Sequence, residues 1–216
     1  MFKSIKEMGI NKVLIRSLFF LLGALAIGFA IGLNNLALLG NDPISVFYDG
    51  VSKFFNIDLG FAINIVNLSL ILIVFIFGRK YIDIGLILYV IPLGWFTNLC
   101  IYLCSSIISL PISDFVCRII MSIVGCFLLF LGIAIVISLD LGLDPWSGLV
   151  MIIKDKLNKS YKVIKVCSDA FFLVVGFLLG GTVGVVTVVA AFLGGPVIEF
   201  MSNIIKAKIL KESKLN

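Results

Sequence analysis

The residues suited to chemistry are few, because almost every position between them is apolar. Asp169 stands near the middle of an apolar stretch, and its counterpart in an earlier stretch is Asn67, with Asn64 one turn away on the same helical face. A carboxylate at mid-bilayer costs roughly 2.5–3.5 kcal/mol to insert. Asp169 is therefore expected to face a cavity or a partner, where it lines a solute or ion site or joins helices, and where it can take up a proton. Glu199 lies in the last apolar stretch, close enough to the basic tail to reach Lys206, and Asn98 falls in the corresponding region of the first half. Both are read as further site lining or as helix packing. The chain has no histidine, which leaves carboxylates as its ready titrating groups.

A second set of candidates comes from a motif used twice. Asp42-Pro43-x-Ser45 and Asp144-Pro145-x-Ser147 both read as helix starts: the aspartate can accept from free backbone N–H groups, proline fits the first helical position, and the glycine before each allows a sharp turn. Either the motifs only begin helices, or two opposed helix starts, with their positive dipole ends, help to form a solute or ion site.

The repetition extends along the chain. Arg16, Gly40, Asp42, Asn67 and Gly78 recur 102 residues later as Arg118, Gly142, Asp144, Asp169 and Gly180. Each copy, about 13–104 and about 115–206, carries three stretches long enough to cross a bilayer. Consecutive copies with an odd number of spans must insert in opposite orientations, a ground plan familiar in transporters.

With 61% of its 216 residues hydrophobic and 13% charged, the chain cannot cover a water-facing surface. Spans are expected near 17–38, 60–77, 83–104, 115–138, 163–180 and 183–204, within a single membrane domain over 1–216. The first follows Lys3, Lys6 and Lys12 and imitates a signal sequence, but it matches residues 118 to 138 and is expected to be retained. Between the first and second span of each copy lies an amphipathic piece, Pro43 to Asn56 and Pro145 to Asn158, too short to cross and read as a surface or re-entrant helix. With the N-terminus inside, fifteen of the seventeen basic residues fall on the cytoplasmic side, Lys53 and Arg118 being the exceptions. Arg118 is expected to pair with a carboxylate such as Asp114 or with lipid headgroups. Ala24, Gly28 and Gly32 form a small-residue stripe for close helix approach, and Pro92 and Pro196 are expected to interrupt or kink their spans. The five cysteines are read as buried small hydrophobes.

No phosphate-loop, nucleophile-elbow, zinc-protease or dinucleotide motif is present. An enzyme, a cofactor, a metal site and a nucleic-acid partner are accordingly not expected. Leu141-Gly142-Leu143-Asp144-Pro145-Trp146-Ser147, and the glycine-rich run from Gly180 through Gly195-Pro196 to Glu199, resemble the YczE/YyaS/YitT family of bacterial integral membrane proteins. That family commonly has aspartate where Ser147 stands. The resemblance implies a bacterial cytoplasmic membrane protein and supplies no activity.

The expectation is thus an all-α, six-span protein of two inverted three-helix repeats in the bacterial cell membrane, with both termini cytoplasmic. A small permease for an unknown solute fits it best, with Asp169, Asn67 and Asn64 as midplane lining and Asp169 as possible coupler. The alternative is a membrane-embedded solute-binding or accessory subunit of a larger complex. Its partners would be the lipid bilayer, a small solute, and a second copy or another membrane protein.

Overall fold

The computed structural model describes residues 10–107 and 114–213, and its regular elements there are all helical. In chain order they are α1 (Ile10–Ala37), α2 (Pro43–Phe55), α3 (Leu59–Phe77), α4 (Ile84–Tyr102), α5 (Phe115–Ser138), α6 (Pro145–Leu157), α7 (Tyr161–Leu178) and α8 (Val185–Ser213). A single turn at Arg79–Tyr81 joins α3 to α4, and a π-helical turn at Leu103–Ile107 prolongs α4. The N-terminal lysines Lys3 and Lys6 lie outside the described residues, as does Lys214.

The sequence repeat is a conformational repeat. Pro43 and Pro145 each open a short helix behind an extended aspartate, and each helix ends on a left-handed asparagine, Asn56 at φ 51° and Asn158 at φ 49°. Leu38 and Asp140 also share a positive φ, as do Gly40 and Gly142. The left-handed region suits asparagine and glycine, and a helix that stops there cannot drift into the next one. Of the two motif aspartates, Asp144 accepts from the Ser147 N–H at 3.1 Å, whereas Asp42 makes no such cap.

Five helices, α1, α3, α4, α5 and α8, are long and apolar enough to cross a membrane. Trp95, Leu178 and Phe192 stand exposed on the outer surface, an arrangement that suits hydrocarbon and not water. The protein is a multi-pass membrane protein. The expected fifth span, α7, has 18 residues that include Lys162, Lys165 and Asp169, and it falls short of the same test. Pro92 and Pro196 lie inside continuous helices, so the spans that carry them are not broken. Of the cysteines, Cys100 and Cys104 are buried, Cys117 and Cys126 partly so, and Cys167 is exposed.

The centre is the pair α1 and α5. A side chain at Gly23 would meet the Gly132 carbonyl, and one at Gly125 would meet the Asn34 amide, so the two helices run antiparallel with their backbones close. At one end the Arg16 Nη1 donates to the Leu139 carbonyl at 3.1 Å; at the other the Arg118 Nε donates to the Ala37 carbonyl at 2.6 Å. Each repeated arginine thereby satisfies a C-terminal carbonyl of the other copy's first helix and lies at the negative end of its dipole. This differs from the pairing expected for Arg118. Asp114 instead caps its own helix, accepting from Val116 N at 3.2 Å.

Around that pair the copies interlock. The small-residue stripe of α1 lies on α4, with Gly28 beneath Phe96 and Gly32 beneath Cys100. The short helix of each copy packs on the second long helix of the other: Gly50 of α2 backs onto Gly176 of α7, and Gly148 of α6 faces Val74 of α3. A Cβ at Gly50 would come within 2.4 Å of the Gly176 carbonyl, whereas one at Gly195 would meet nothing within 4 Å. Gly50→Ala should therefore destabilise the detergent-solubilised protein by about 1–3 kcal/mol, the usual range for overpacking, whereas Gly195→Ala, inside α8 with room for the methyl group, should not lower its thermal unfolding temperature.

Candidate functional site

After α1 the chain turns back along the helix it has left. Asn41 Nδ2 donates to the carbonyl of Ile31 at 3.3 Å, six residues before the end of α1, or about 9 Å at the helical rise. Asn41 also accepts from Asn34, and its own N–H donates to Thr187 Oγ1 at 3.2 Å. The start of α2 is thus held inside the bundle.

There the two duplicated motifs meet. Asp42 and Ser45 of one copy and Asp144 and Ser147 of the other line a single cavity of about 450 Å³. Ile27 and Ile31 of α1 and Leu129 and Ile133 of α5 form its apolar wall. Tyr48, Tyr89, Trp146 and Tyr161 give it an aromatic side, and Glu199, Ser202 and Lys206 of α8 complete it. Glu199 is exposed, so that side is the mouth. Lys206 lies 4.0 Å from Asp140 and makes no ion pair with Glu199. Ser45 is only 1% exposed, and its Oγ has no hydrogen-bonding partner, nor does the buried Oδ1 of Asp42.

Asp169 stands one layer behind the wall. It accepts from Lys165 Nζ at 2.6 and 2.8 Å and from Trp146 Nε1 at 3.2 Å, and so holds two cavity residues in place. Its counterpart Asn67 is fully buried and accepts from the Tyr48 hydroxyl at 2.9 Å. The equivalent residues do equivalent work, each fixing an aromatic side chain of its own copy's short helix. Asn64 and Asn98 are not on the cavity wall. They lie where α3 meets α4: Gly60 N donates to Asn98 at 2.9 Å, and Asn64 lies against Gly94.

The sequence reading did not select Lys165, Tyr48, Tyr89, Trp146 or Tyr161 as site residues. Lys165 is one of the fifteen basic residues expected on the cytoplasmic side, although its spacing of four from Asp169 is that of a helical ion pair. The tyrosines carried no signal in periodicity.

Both ends of the bundle carry a cross-link between copies. Asp49 accepts from Asn35, from Lys53 at 2.7 Å and from the Thr182 N–H at 2.7 Å, and Lys53 also donates to Thr182 Oγ1. At the opposite end Lys80 and Tyr81 both donate to Asp155. Lys53 and Asp155 are equivalent positions, as are Lys80 and Thr182, so one contact is made twice with different chemistry. The Lys80 and Tyr81 hydrogen bonds hold the Asp155 carboxyl below the usual carboxylate range.

A family of unknown function, DUF6198, matches residues 14–203. The chain belongs to that family. An uncharacterised protein of Haemophilus influenzae is 30% identical over 186 residues, 86% of this chain and 83% of that one. Two Bacillus subtilis proteins are more distant: the uncharacterised membrane protein YczE, 22% identical over 88% of this chain and 86% of its own, and the uncharacterised protein YyaS, 25% identical over 89% and 95%. These matches bear out the kinship with YczE and YyaS. No solved structure matches the chain. The matched segment of the family contains the motifs, the cavity wall through Asn203, and Asp169 with its partners.

The Lys165–Asp169 pair is only partly exposed, and removing one partner strands the other. Asp169→Leu should lower stability by about 1–2 kcal/mol and shift Trp146 emission as its indole loses an acceptor. Adding Lys165→Met should restore part of the loss in thermal unfolding; strictly additive effects would show that the two side chains are uncoupled.

Proposed function

We propose that the protein is a small secondary transporter: six spans, arranged as two inverted three-span repeats in the bacterial cytoplasmic membrane, enclosing a solute site between Asp42–Ser45 and Asp144–Ser147. The observation that carries this reading is the convergence of both duplicated helix starts on one cavity. Two copies of a motif that only began helices would have no reason to share a pocket. The reciprocal arginine caps of α1 and α5 support the inverted relation. In this reading α7 is the sixth span: Lys165 and Asp169 neutralise each other, and Lys162 lies in its first turn, from which a lysine can reach the headgroups.

The orientation rests on charge. Arg16 beside Leu139, Lys80 beside Asp155 and Lys206 near Asp140 share one end of the bundle, and the positive-inside rule makes that end, with both termini, cytoplasmic. Alternating access would follow from rocking one half against the other, with the end contacts of Asp49 and Asp155 broken in turn. Asp169 would sense the solute or a coupling cation through Lys165. The reading is of a carrier and not of an enzyme, and it requires no cofactor or nucleic acid.

Single cysteines at Lys80 and Lys53 in a cysteine-free background should label from the cytoplasmic and the outer side respectively; labelling of both from one side would remove the inverted arrangement. In proteoliposomes with an imposed pH or Na⁺ gradient, at least one member of a labelled pool of amines, amino acids, sugars and organic acids should accumulate. Asp42→Asn should reduce that uptake at least tenfold. Folded protein that moves none of them alone, but copurifies with an energised partner, would identify an accessory subunit instead.

A further inference from the structure

Resting on that reading of the cavity, we infer that its occupant is an amphipathic organic cation, a protonated or quaternary amine with an apolar body. Three carboxylates line the cavity, Asp42, Asp144 and Glu199, against two ammonium groups, Lys165 and Lys206. Each lysine has its carboxylate outside the lining: Lys165 is bound by Asp169 at 2.6 Å, and Lys206 lies 4.0 Å from Asp140. Among the described residues none of the three lining carboxylates has an ion-pair partner. Asp42 and Asp144 are half-buried; a carboxylate drawn out of water without a cation is costly, and a positively charged solute removes that cost.

A second observation points the same way. Ser45 is nine-tenths buried and more and lines the cavity, and its Oγ has no hydrogen-bonding partner of ordinary geometry, nor has the Oδ1 of Asp42 three residues earlier. Both oxygens can accept a hydrogen bond, and both residues line the cavity. The helix starts do not make the site anionic in its preference, because each positive helix end already faces its own aspartate, in α6 with a direct bond to Ser147 N. Tyr48, Tyr89 and Tyr161 supply aromatic groups suited to an ammonium. The wall already receives one: Lys165 Nζ lies 5.6 Å from the Trp146 ring centroid. The isoleucines and Leu129 then fit the apolar remainder, and about 450 Å³ is in the range of small-molecule sites.

The test uses the cavity's own fluorophore. The chain has two tryptophans, and Trp95 is 73% exposed on the outer surface, so Trp95→Phe leaves Trp146 as the reporter. Full-length protein in nanodiscs is titrated with benzyltrimethylammonium, its uncharged isostere neopentylbenzene, and the anion benzylsulfonate. The ammonium should change Trp146 emission saturably and bind at least tenfold more tightly than either analogue, and Asp42→Asn should weaken it at least tenfold. Glu199→Gln, at the exposed mouth, should weaken it severalfold and carries the test where Asp42→Asn fails to fold. Saturable binding of the anion or the neutral isostere at equal or better affinity overturns the cationic assignment while leaving a solute cavity. Unchanged affinity in the folded carboxylate variants also overturns it. No saturable response to any of the three overturns the solute site itself.

Discussion

Hydrocarbon offers no replacement for a missing hydrogen bond, and the organisation of this protein follows from that constraint at the ends of two helices. The last carbonyls of α1 and α5 have no intrahelical donors. Arg118 and Arg16 supply them from the opposite copy. Because each arginine lies within the first two turns of one helix and caps the end of the other, the caps can close only if α1 and α5 lie antiparallel and in register. Glycines at the crossing then allow the backbones to approach, and the remaining helices are placed by what this pair leaves open. The cavity is one result: its apolar wall is the part of α1 and α5 that faces the two short helices.

Much of the helical plan was legible in the sequence, because the signals are local and repeated. Proline after aspartate set the starts of α2 and α6, and asparagine in the left-handed region set their ends within a residue of the expected boundaries. Apolar run length located the five helices that are long and apolar enough to cross a membrane. The proline positions were less legible: a helix surrounded by protein and lipid keeps its course past Pro92 and Pro196, since neighbours can absorb the freed carbonyls. The fate of Arg118 was also hidden, because its acceptors are carbonyls 80 residues and more away, and no side-chain pattern announces a backbone acceptor.

The site was legible in its outline and not in its lining. Burial cost singled out Asp169 and repeat symmetry singled out Asn67, and each accepts a hydrogen bond from an aromatic side chain. It could not say which layer they occupy. Their partners Trp146 and Tyr48 look in the sequence like ordinary members of an amphipathic face, and the spacing of Asn64 and Asn98 is equally compatible with a cavity or a helix contact. What separates these cases is which neighbour each face meets, and that is fixed by the crossing of the copies.

That crossing has a consequence for biosynthesis. Gly50 of α2 packs on Gly176 of α7, and α1 packs on α5, so the first copy emerges from the ribosome before the surfaces that complete it have been made. The early half must wait in the bilayer with its glycine faces uncovered. Until the second copy arrives those faces meet lipid, and the contacts of Gly50 with Gly176 and of α1 with α5 can form only after both copies have been made.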